Sequence, residues 1–176
     1  MVESLGTLLR ATLSNKKPLV SLDYEIGLAG SYMTIQKIRF EDRLLFHVEC
    51  PEELGKALIL PLTIQPLLEN AIRYGMEEMM DTCEISIRTR KEGTLLIVEV
   101  SNEGSVFEDS LLEKLQDGTK NAHGFGIGLV NIHQRIQMLF GDSYGLSFKN
   151  QDEKAIAIIT IPYKTEAVSY THLTLP

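Results

Sequence analysis

The sequence is poor in the residues that build disulfide and zinc sites. It has no tryptophan and only two cysteines, Cys50 and Cys83, in 176 residues. No CxxC pair and no His/Cys group at metal-ligand spacing occurs, so neither a disulfide framework nor a structural zinc site is indicated. Unpaired cysteines are typical of proteins kept in a reducing compartment, and we expect a cytoplasmic location.

Long apolar runs and an excess of basic residues are also missing. No stretch approaches the roughly 18 apolar residues of a membrane-spanning helix, and the start MVESLGTLLR does not have the pattern of a signal peptide. We therefore expect no direct membrane contact. The 24 acidic residues outnumber the 17 Lys and Arg, for a net charge of -7. This balance argues against nucleic acid as the main partner, because no basic stripe is available to displace counterions.

What is present fits one globular domain with its own core: 44% of the residues are hydrophobic and 23% are charged. Apolar periodicity predicts amphipathic helices over 22–40, 62–74 and 127–140, the second of them ending at Gly75, and runs rich in β-branched residues predict strands. The predicted strands cover residues 43–50, 84–90, 94–101, 144–150 and 155–163. We further expect the end of a helix at 4–13 and a short helix near 108–115. These elements predict a two-layer α/β (α+β) sandwich, with a mixed, mostly antiparallel sheet and helices on one face.

The stretch LLENAIRYG, residues 67–75, carries polar residues along one edge of a helix. Asparagine is a mediocre helix former, so Asn70 in mid-helix beside Glu69 needs a reason. One reason is that Glu69 and Arg73 form an i,i+4 ion pair and Asn70 is solvated. The other is that the Asn70 oxygen holds Mg²⁺ while Arg73 meets phosphate, since magnesium is typically bound by one or two protein oxygens plus phosphates and water. The helix alone leaves both open.

Two further stretches are rich in residues of loops and turns. SNEG, residues 101–104, ends a strongly apolar strand, and is either an ordinary turn or a polar group that reads a base. HGFGIGLVNIHQRI, residues 123–136, places Gly124, Gly126 and Gly128 directly before a helix. These glycines permit close backbone approach, and the helix offers free N–H groups and a positive dipole end for phosphate, although glycines also permit tight helix packing.

Other phosphate-binding families can be excluded by motif. There is no GxxxxGK[ST], so the chain has no P-loop. The glycine run follows a polar loop instead of an early strand, which disfavours a dinucleotide fold. HRD and DFG are missing, which excludes the eukaryotic-type protein kinases.

The three stretches together, in this order and spacing, resemble the Bergerat-type ATP-binding domain of sensor histidine kinases, DNA gyrase, mismatch-repair ATPases and the heat-shock chaperone. The chain is most similar to the LytS-like bacterial sensor histidine kinases, which have IQPLLENAI and GxGIGLxNxxxRL. Upstream, LGTLLRATL, LDYEI and YMTIQKIRF also resemble that subfamily. The resemblance covers residues 4–163.

The resemblance implies ATP and Mg²⁺ as ligands and assigns roles to individual residues. Asn70 corresponds to the magnesium ligand, Glu69 to the acidic catalytic residue beside it, and Arg73 and Tyr74 to positions that face phosphates and ribose. Asn102 and Gly104 correspond to the first glycine box, which binds adenine, and residues 105–123 to the lid. The second glycine box, with its neighbours, comprises His123, Gly124, Phe125, Gly126, Ile127, Gly128 and Leu129.

The sequence departs from the family pattern in the first glycine box. The family has DNGxG, with an aspartate that accepts from the adenine amino group, whereas this chain has Asn102, and Val106 stands at the second glycine. An asparagine oxygen still accepts but carries no charge, so we expect weaker adenine recognition.

The phosphoacceptor stretch of the family, similar to PHFLFN, does not occur in this sequence. None of the four histidines (His47, His123, His133 and His172) lies in such a context. We therefore expect the acceptor histidine to lie upstream of this chain, in a helical domain of the whole kinase. The expected organisation is a remnant of that helical segment with a connecting helix at 1–40, an ATP-binding catalytic domain at 41–164, and a tail at 165–176 that is disordered or foreign to the fold.

The predicted function is therefore the ATP-binding catalytic domain of a two-component sensor histidine kinase. The resemblance implies a response regulator as partner, a homodimeric whole protein, and a cytoplasmic location for this part of a membrane-anchored kinase. Two alternatives remain: a stand-alone ATPase or anti-sigma-type serine kinase of the same fold, and a non-enzymatic interaction domain with a degenerate nucleotide pocket.

Overall fold

The fold is taken from a computed structural model, which describes residues 18–77, 82–108 and 127–165. The predicted helix at 4–13, most of the short helix near 108–115 and residues 166–176 of the predicted tail lie outside these residues. The observed elements, in chain order, are β1 (Val20–Ser21), α1 (Leu22–Phe40), β2 (Leu44–Glu49), β3 (Leu58–Ile59), α2 (Ile64–Ile72), β4 (Cys83–Glu92), β5 (Leu95–Glu103), α3 (Ile127–Phe140), β6 (Gly145–Gln151) and β7 (Lys154–Pro162).

A five-stranded mixed sheet forms one layer of the molecule. Its strand order is β2-β4-β5-β7-β6. Strand β2 runs parallel to β4, and the other three pairings are antiparallel, including the predicted β4–β5 hairpin. The predicted fold class is confirmed. A second sheet, formed by the two-residue strands β1 and β3, was not predicted, because two residues are too short to show a periodicity.

The two faces of the large sheet differ in polarity because side chains alternate along each strand. Ile87, Val100 and Ala157 are cross-strand neighbours on the inner face and are buried against the helices. On the outer face, Arg90 Nη1 lies 2.8 Å from Glu99 Oε1, and Lys154 Nζ lies 3.2 Å from Glu103 Oε1. The core therefore lies between one sheet face and the helices. No helix in the described ranges is long and apolar enough to cross a membrane.

Helix α1 begins and ends at clear local signals. The Ser21 hydroxyl accepts a hydrogen bond from the Tyr24 amide at 3.2 Å and caps the first turn. Acidic residues Asp23 and Glu25 lie in the first turn and basic residues Lys37 and Arg39 in the last, which suits the helix dipole. The predicted helix over 22–40 is confirmed.

Helix α2 starts without a side-chain cap of its own, and Glu25 of α1 supplies one. The Glu25 carboxylate is 1% exposed and accepts from the amides of Leu62 (2.7 Å), Thr63 (3.0 Å) and Ile64 (3.2 Å). It thereby satisfies N–H groups at the helix start that have no partner within the helix. Arg135 of α3 donates from Nη2 to the Pro61 carbonyl at 3.0 Å, and its charge acts on Glu25. Three helices therefore meet at one buried carboxylate.

We predict that Glu25→Ala lowers the free energy of unfolding by roughly 2–5 kcal/mol, because each buried N–H left without an acceptor costs about 1–3 kcal/mol. Urea denaturation measures the change. Glu53→Ala, at an exposed position of the turn Glu52–Leu54, is the control and should stay within about 0.5 kcal/mol of the parent chain. Equal stability of the two variants would contradict the capping role.

A second prediction concerns pH. Burial raises the pKa of Glu25 from its usual 4.5, and this outweighs the three accepted hydrogen bonds and the Arg135 charge, which lower it. A carboxyl with a raised folded-state pKa contributes stability that is complete below its unfolded pKa and is lost as the pH rises through its folded pKa. Glu25→Gln lacks this titration. The stability difference between the parent chain and Glu25→Gln should therefore shrink as the pH rises above 4.5. Urea titrations across this range test it, and a difference that grows with pH would refute it.

Candidate functional site

The polar edge of α2 carries four of the residues to which the resemblance assigns roles. Glu69 is exposed and accepts from Gln65 Nε2, one turn earlier, at 2.9 Å. Arg73 follows the helix, and its guanidinium carbon lies 5.5 Å from the centre of the Tyr74 ring. Asn70 is half-buried, and its side chain makes no hydrogen bond to another residue within the described ranges. Its amide oxygen is thus a candidate ligand for a hard cation.

The predicted helix end at Gly75 is wrong. The chain continues beyond Ile72 in a wider, π-helical turn, Arg73–Glu77, and Gly75 is buried within it. Such turns are rare and occur often at functional sites.

Gly75 is a point of close approach to the sheet. A Cβ there would lie 2.7 Å from Cys83 Sγ, 3.2 Å from Asn102 Nδ2 and 3.3 Å from the Glu103 carbonyl oxygen. Any side chain at this position would therefore push α2 away from the ends of β4 and β5. The contact brings LLENAIRYG and SNEG together. The sequence did not indicate this role, because a glycine after a helical pattern usually indicates a helix end.

Asn102 lies near the end of β5, on the inner face of the sheet, and is 4% exposed. Its cross-strand neighbours are Ile85 and Ala155, both buried. The Nδ2 atom donates to the Glu103 carbonyl at 3.1 Å and to Ser105 Oγ at 2.7 Å. The side chain is therefore directed toward the helix layer, with its nitrogen engaged.

Cys83 completes this end of the sheet. Its thiol donates to the Glu103 carbonyl at 3.4 Å. Burial raises the pKa of the Cys83 thiol. The thiol therefore remains protonated and contributes a weak donor and packing, not a nucleophile. No sequence signal indicated this position.

The chain leaves β5 at Gly104, whose φ of +80° is readily adopted by glycine. Val106, which the resemblance places at the second glycine of the first glycine box, is 67% exposed. Asn150 of β6 then holds the backbone of Phe107 with two hydrogen bonds, accepting from its N–H at 2.8 Å and donating to its carbonyl at 2.9 Å. The Phe107 ring also packs edge-on against Phe148, with 4.9 Å between centroids. The segment after SNEG is thus anchored to the edge of the sheet, which the sequence did not reveal.

The third stretch reaches the site through the start of α3. The described part of the stretch begins at Ile127, and residues 123–126, with His123, Gly124, Phe125 and Gly126, lie outside the described residues. A Cβ at Gly128 would be 3.8 Å from Pro66 Cβ, an ordinary contact with the first turn of α2. Leu129 is buried, so it packs into the core. The start of α3 therefore lies beside α2, where its free N–H groups and dipole favour an anion.

The two described histidines have positions that suit structural or surface roles. His133 Nδ1 accepts from the Leu146 amide at 3.0 Å, and burial lowers the pKa of its imidazole, which keeps this nitrogen available as an acceptor. His47 is exposed on β2, 3.9 Å from Glu84. His123 and His172 fall outside the described ranges.

Comparison with protein families gives two matches that cover most of the chain. Residues 1–44 match the histidine kinase family, and residues 55–165 match the family described as histidine kinase-, DNA gyrase B-, and HSP90-like ATPase.

Individual relatives agree with these matches. The chain is 41% identical over 169 residues to the sensor histidine kinase YesM of Bacillus subtilis, covering 96% of this chain and 28% of the relative. It is 29% identical over 164 residues to the sensor protein LytS of Streptococcus mutans, covering 91% of this chain and 28% of the relative. The chain thus spans only 28% of the length of these relatives.

Solved structures agree on the fold. The catalytic domain of histidine kinase ThkA matches with a TM-score of 0.62 at 18% identity, covering 83% of this chain and 98% of that one. ThkA in complex with the response regulator protein TrrA matches with a TM-score of 0.55 at 20% identity, covering 94% and 49%. The chain belongs to the histidine kinase-, DNA gyrase B-, and HSP90-like ATPase family.

Proposed function

We propose that the whole protein transfers the γ-phosphoryl group of ATP to a histidine upstream of this chain and then to a response regulator. The observation that carries the proposal is the convergence of three stretches. Gly75 closes the end of α2 onto Asn102, and Gly128 lies beside Pro66 at its beginning. The polar edge of α2 thus runs between a candidate base-reading group and a candidate phosphate-binding helix start.

The transfer is an in-line displacement, in which positioning and charge neutralisation supply most of the catalysis. An imidazole nitrogen forms a bond to the γ-phosphorus, the bond from that phosphorus to the bridging oxygen breaks, and ADP leaves. The imidazole proton must go to a base. Glu69, the exposed neighbour of Asn70, is our candidate for that base.

The residues near Asn70 fit a magnesium ion held mainly by nucleotide. No three His, Cys, Asp or Glu side chains form a metal-binding group in the part of the chain that the structure describes. Asn70 would supply one oxygen, and phosphates and water the rest. The ion would neutralise phosphate charge, and Arg73 and Tyr74 would contact phosphates and ribose.

Further parts of the proposal concern the whole protein. We propose an upstream helical domain that carries the acceptor histidine, supported by the histidine kinase match at residues 1–44. A response regulator is proposed as partner because ThkA, a kinase with the same fold, is known in complex with one. Homodimerisation, a cytoplasmic position on a membrane-anchored kinase, and the division into 1–40, 41–164 and 165–176 are proposals of the same kind.

The replacement of the family aspartate by Asn102 favours one second candidate, a non-enzymatic interaction domain with a degenerate pocket. Against it, Asn102 keeps an amide oxygen able to accept from adenine, since both of the described hydrogen bonds of its side chain use Nδ2. A stand-alone ATPase or serine kinase has no comparable support, because the named relatives are sensor proteins.

We predict that Asn70→Ala weakens ATP binding in the presence of Mg²⁺ roughly tenfold or more, to the level measured with EDTA. The reason is that the variant lacks the only protein oxygen we assign to the ion. Isothermal titration calorimetry of the 176-residue chain, with and without Mg²⁺, measures the effect. Gln134→Ala removes an exposed amide from α3 and is the matched control. Unchanged Mg²⁺-dependent affinity in Asn70→Ala would refute the assignment.

A thermal-shift experiment separates the kinase domain from the interaction domain. A nucleotide at a hundred times its Kd adds about 2.7 kcal/mol of stability to the folded state. We therefore expect a clear rise in melting temperature with a millimolar Mg²⁺-ATP analogue. Absence of any rise at saturating concentrations would support the degenerate pocket.

A further inference from the structure

We infer that Arg135 is a positioning residue for the phosphates of the nucleotide. By binding the turn that precedes α2, it determines where the start of α3 lies beside that helix. The inference rests on the proposed function, because it concerns the helix start that would contact the phosphates. Its direct observation is the 3.0 Å hydrogen bond from Arg135 Nη2 to the Pro61 carbonyl oxygen.

Helix α3 contacts the chain around the start of α2 at two points. In the first turn of α3, a Cβ on Gly128 would lie 3.8 Å from Pro66 Cβ. About two turns further along the same helix, at 3.6 residues per turn, Arg135 binds the Pro61 carbonyl. Two contacts this far apart determine both the position and the direction of α3 relative to the start of α2.

The apolar face of α3 does not fix the helix to the same degree. Leu129, Ile132 and Ile136 are buried in the core. Burial of apolar area is non-directional, so these side chains determine which face of the helix is inward more than where the helix lies along its axis. A hydrogen bond, in contrast, has a narrow range of lengths and angles. The Arg135 contact therefore supplies a directional restraint that apolar packing lacks.

The turn at residues 61–63 is a firm point of attachment for Arg135. Leu62 has a φ of +57°, in the left-handed region that a leucine rarely adopts. Glu25 holds the turn in this conformation, because its carboxylate accepts from the amides of Leu62 at 2.7 Å and Thr63 at 3.0 Å. A strained conformation persists only where its surroundings determine it. The turn therefore stays in place, and a change in the length of the Arg135 contact displaces α3.

A displacement of α3 should affect the phosphates more than the base. The start of a helix acts on an anion through its free N–H groups and its dipole, and the effect falls off within the first turn. The candidate base-contacting residue Asn102 lies at the opposite end of α2, beside Gly75. Loss of the Arg135 contact should therefore weaken the binding of ATP and leave the binding of adenosine, which has no phosphate, unchanged.

The test measures the ratio of the Kd for adenosine to the Kd for Mg²⁺-ATP by nuclear magnetic resonance titration. Partial unfolding lowers both apparent affinities by the same factor, so it leaves this ratio unchanged. Arg135→Gln should lower the ratio roughly fivefold, which corresponds to about 1 kcal/mol, the scale of an anion's interaction with a helix start. Arg88→Gln is the matched control and should keep the ratio, because it removes the same charge from an exposed ion pair with Glu49 on the outer face of the sheet.

A second variant, Arg135→Lys, decides the question if Arg135→Gln does not fold. Lysine keeps the positive charge that acts on Glu25. Its ammonium is one bond closer to the backbone than an arginine Nη atom and lacks the planar fork of the guanidinium. It reaches the Pro61 carbonyl only if α3 moves toward the turn. We therefore expect this variant to fold and to lower the ratio roughly twofold or more.

The outcomes separate the inference from the proposed function. An unchanged ratio in either Arg135 variant that folds, or an equal fall of the ratio in Arg88→Gln, overturns the inference alone, since ATP still binds. Failure of the parent chain to bind Mg²⁺-ATP overturns the proposed function, and the inference with it.

Discussion

One buried carboxylate accepts hydrogen bonds from three backbone amides, and the arrangement of the helices depends on this contact. Glu25 of α1 caps the first turn of α2, and Arg135 of α3 binds the adjacent Pro61 carbonyl. A buried charge is costly unless it is hydrogen-bonded and paired. The carboxylate therefore favours one arrangement of the helices. Displacement of α2 would remove the amides that bind it, and displacement of α3 would remove the nearby positive charge of Arg135. The position of α2 follows from this contact.

The other end of α2 is positioned by the absence of a side chain. Gly75 allows the π-helical turn to lie directly against Cys83 and Asn102. One end of the helix is thus held by a carboxylate and the other by close backbone packing. The polar edge with Asn70 lies between these two contacts, which together fix the angle of α2 to the sheet. Catalytic groups need support of this kind, since small displacements from productive geometry cost large factors in rate.

The sequence predicted the fold well where periodicity is strong, as in α1 and the β4–β5 hairpin. It failed at contacts that depend on distant residues. Glu25 accepts hydrogen bonds from amides 37 to 39 positions away in the sequence. The start of α2 has no side-chain cap of its own, and no local pattern indicates that a residue of another helix caps it. Gly75 was wrongly predicted to end the helix, because glycine favours both a helix end and a close approach of the backbone to another element. The three motifs led to the predictions for Asn70 and Asn102. Ser105, Cys83 and Asn150 contact residues around the candidate site and belong to no motif.

Asparagine at position 102, where the resemblance implies an aspartate, changes the hydrogen-bonding character of the group as well as its charge. Losing the carboxylate charge removes a strong acceptor, but it also turns a symmetric group into a directional one. The direction must then be supplied by neighbours, and in this chain the Glu103 carbonyl and Ser105 hydroxyl take both amide hydrogens. A glycine box of the family form has no need of these two bonds. The Glu103 carbonyl only accepts and therefore requires the nitrogen of the amide, whereas the Ser105 hydroxyl can accept or donate. The backbone of the box thus supplies the direction that the side chain at position 102 does not have by itself.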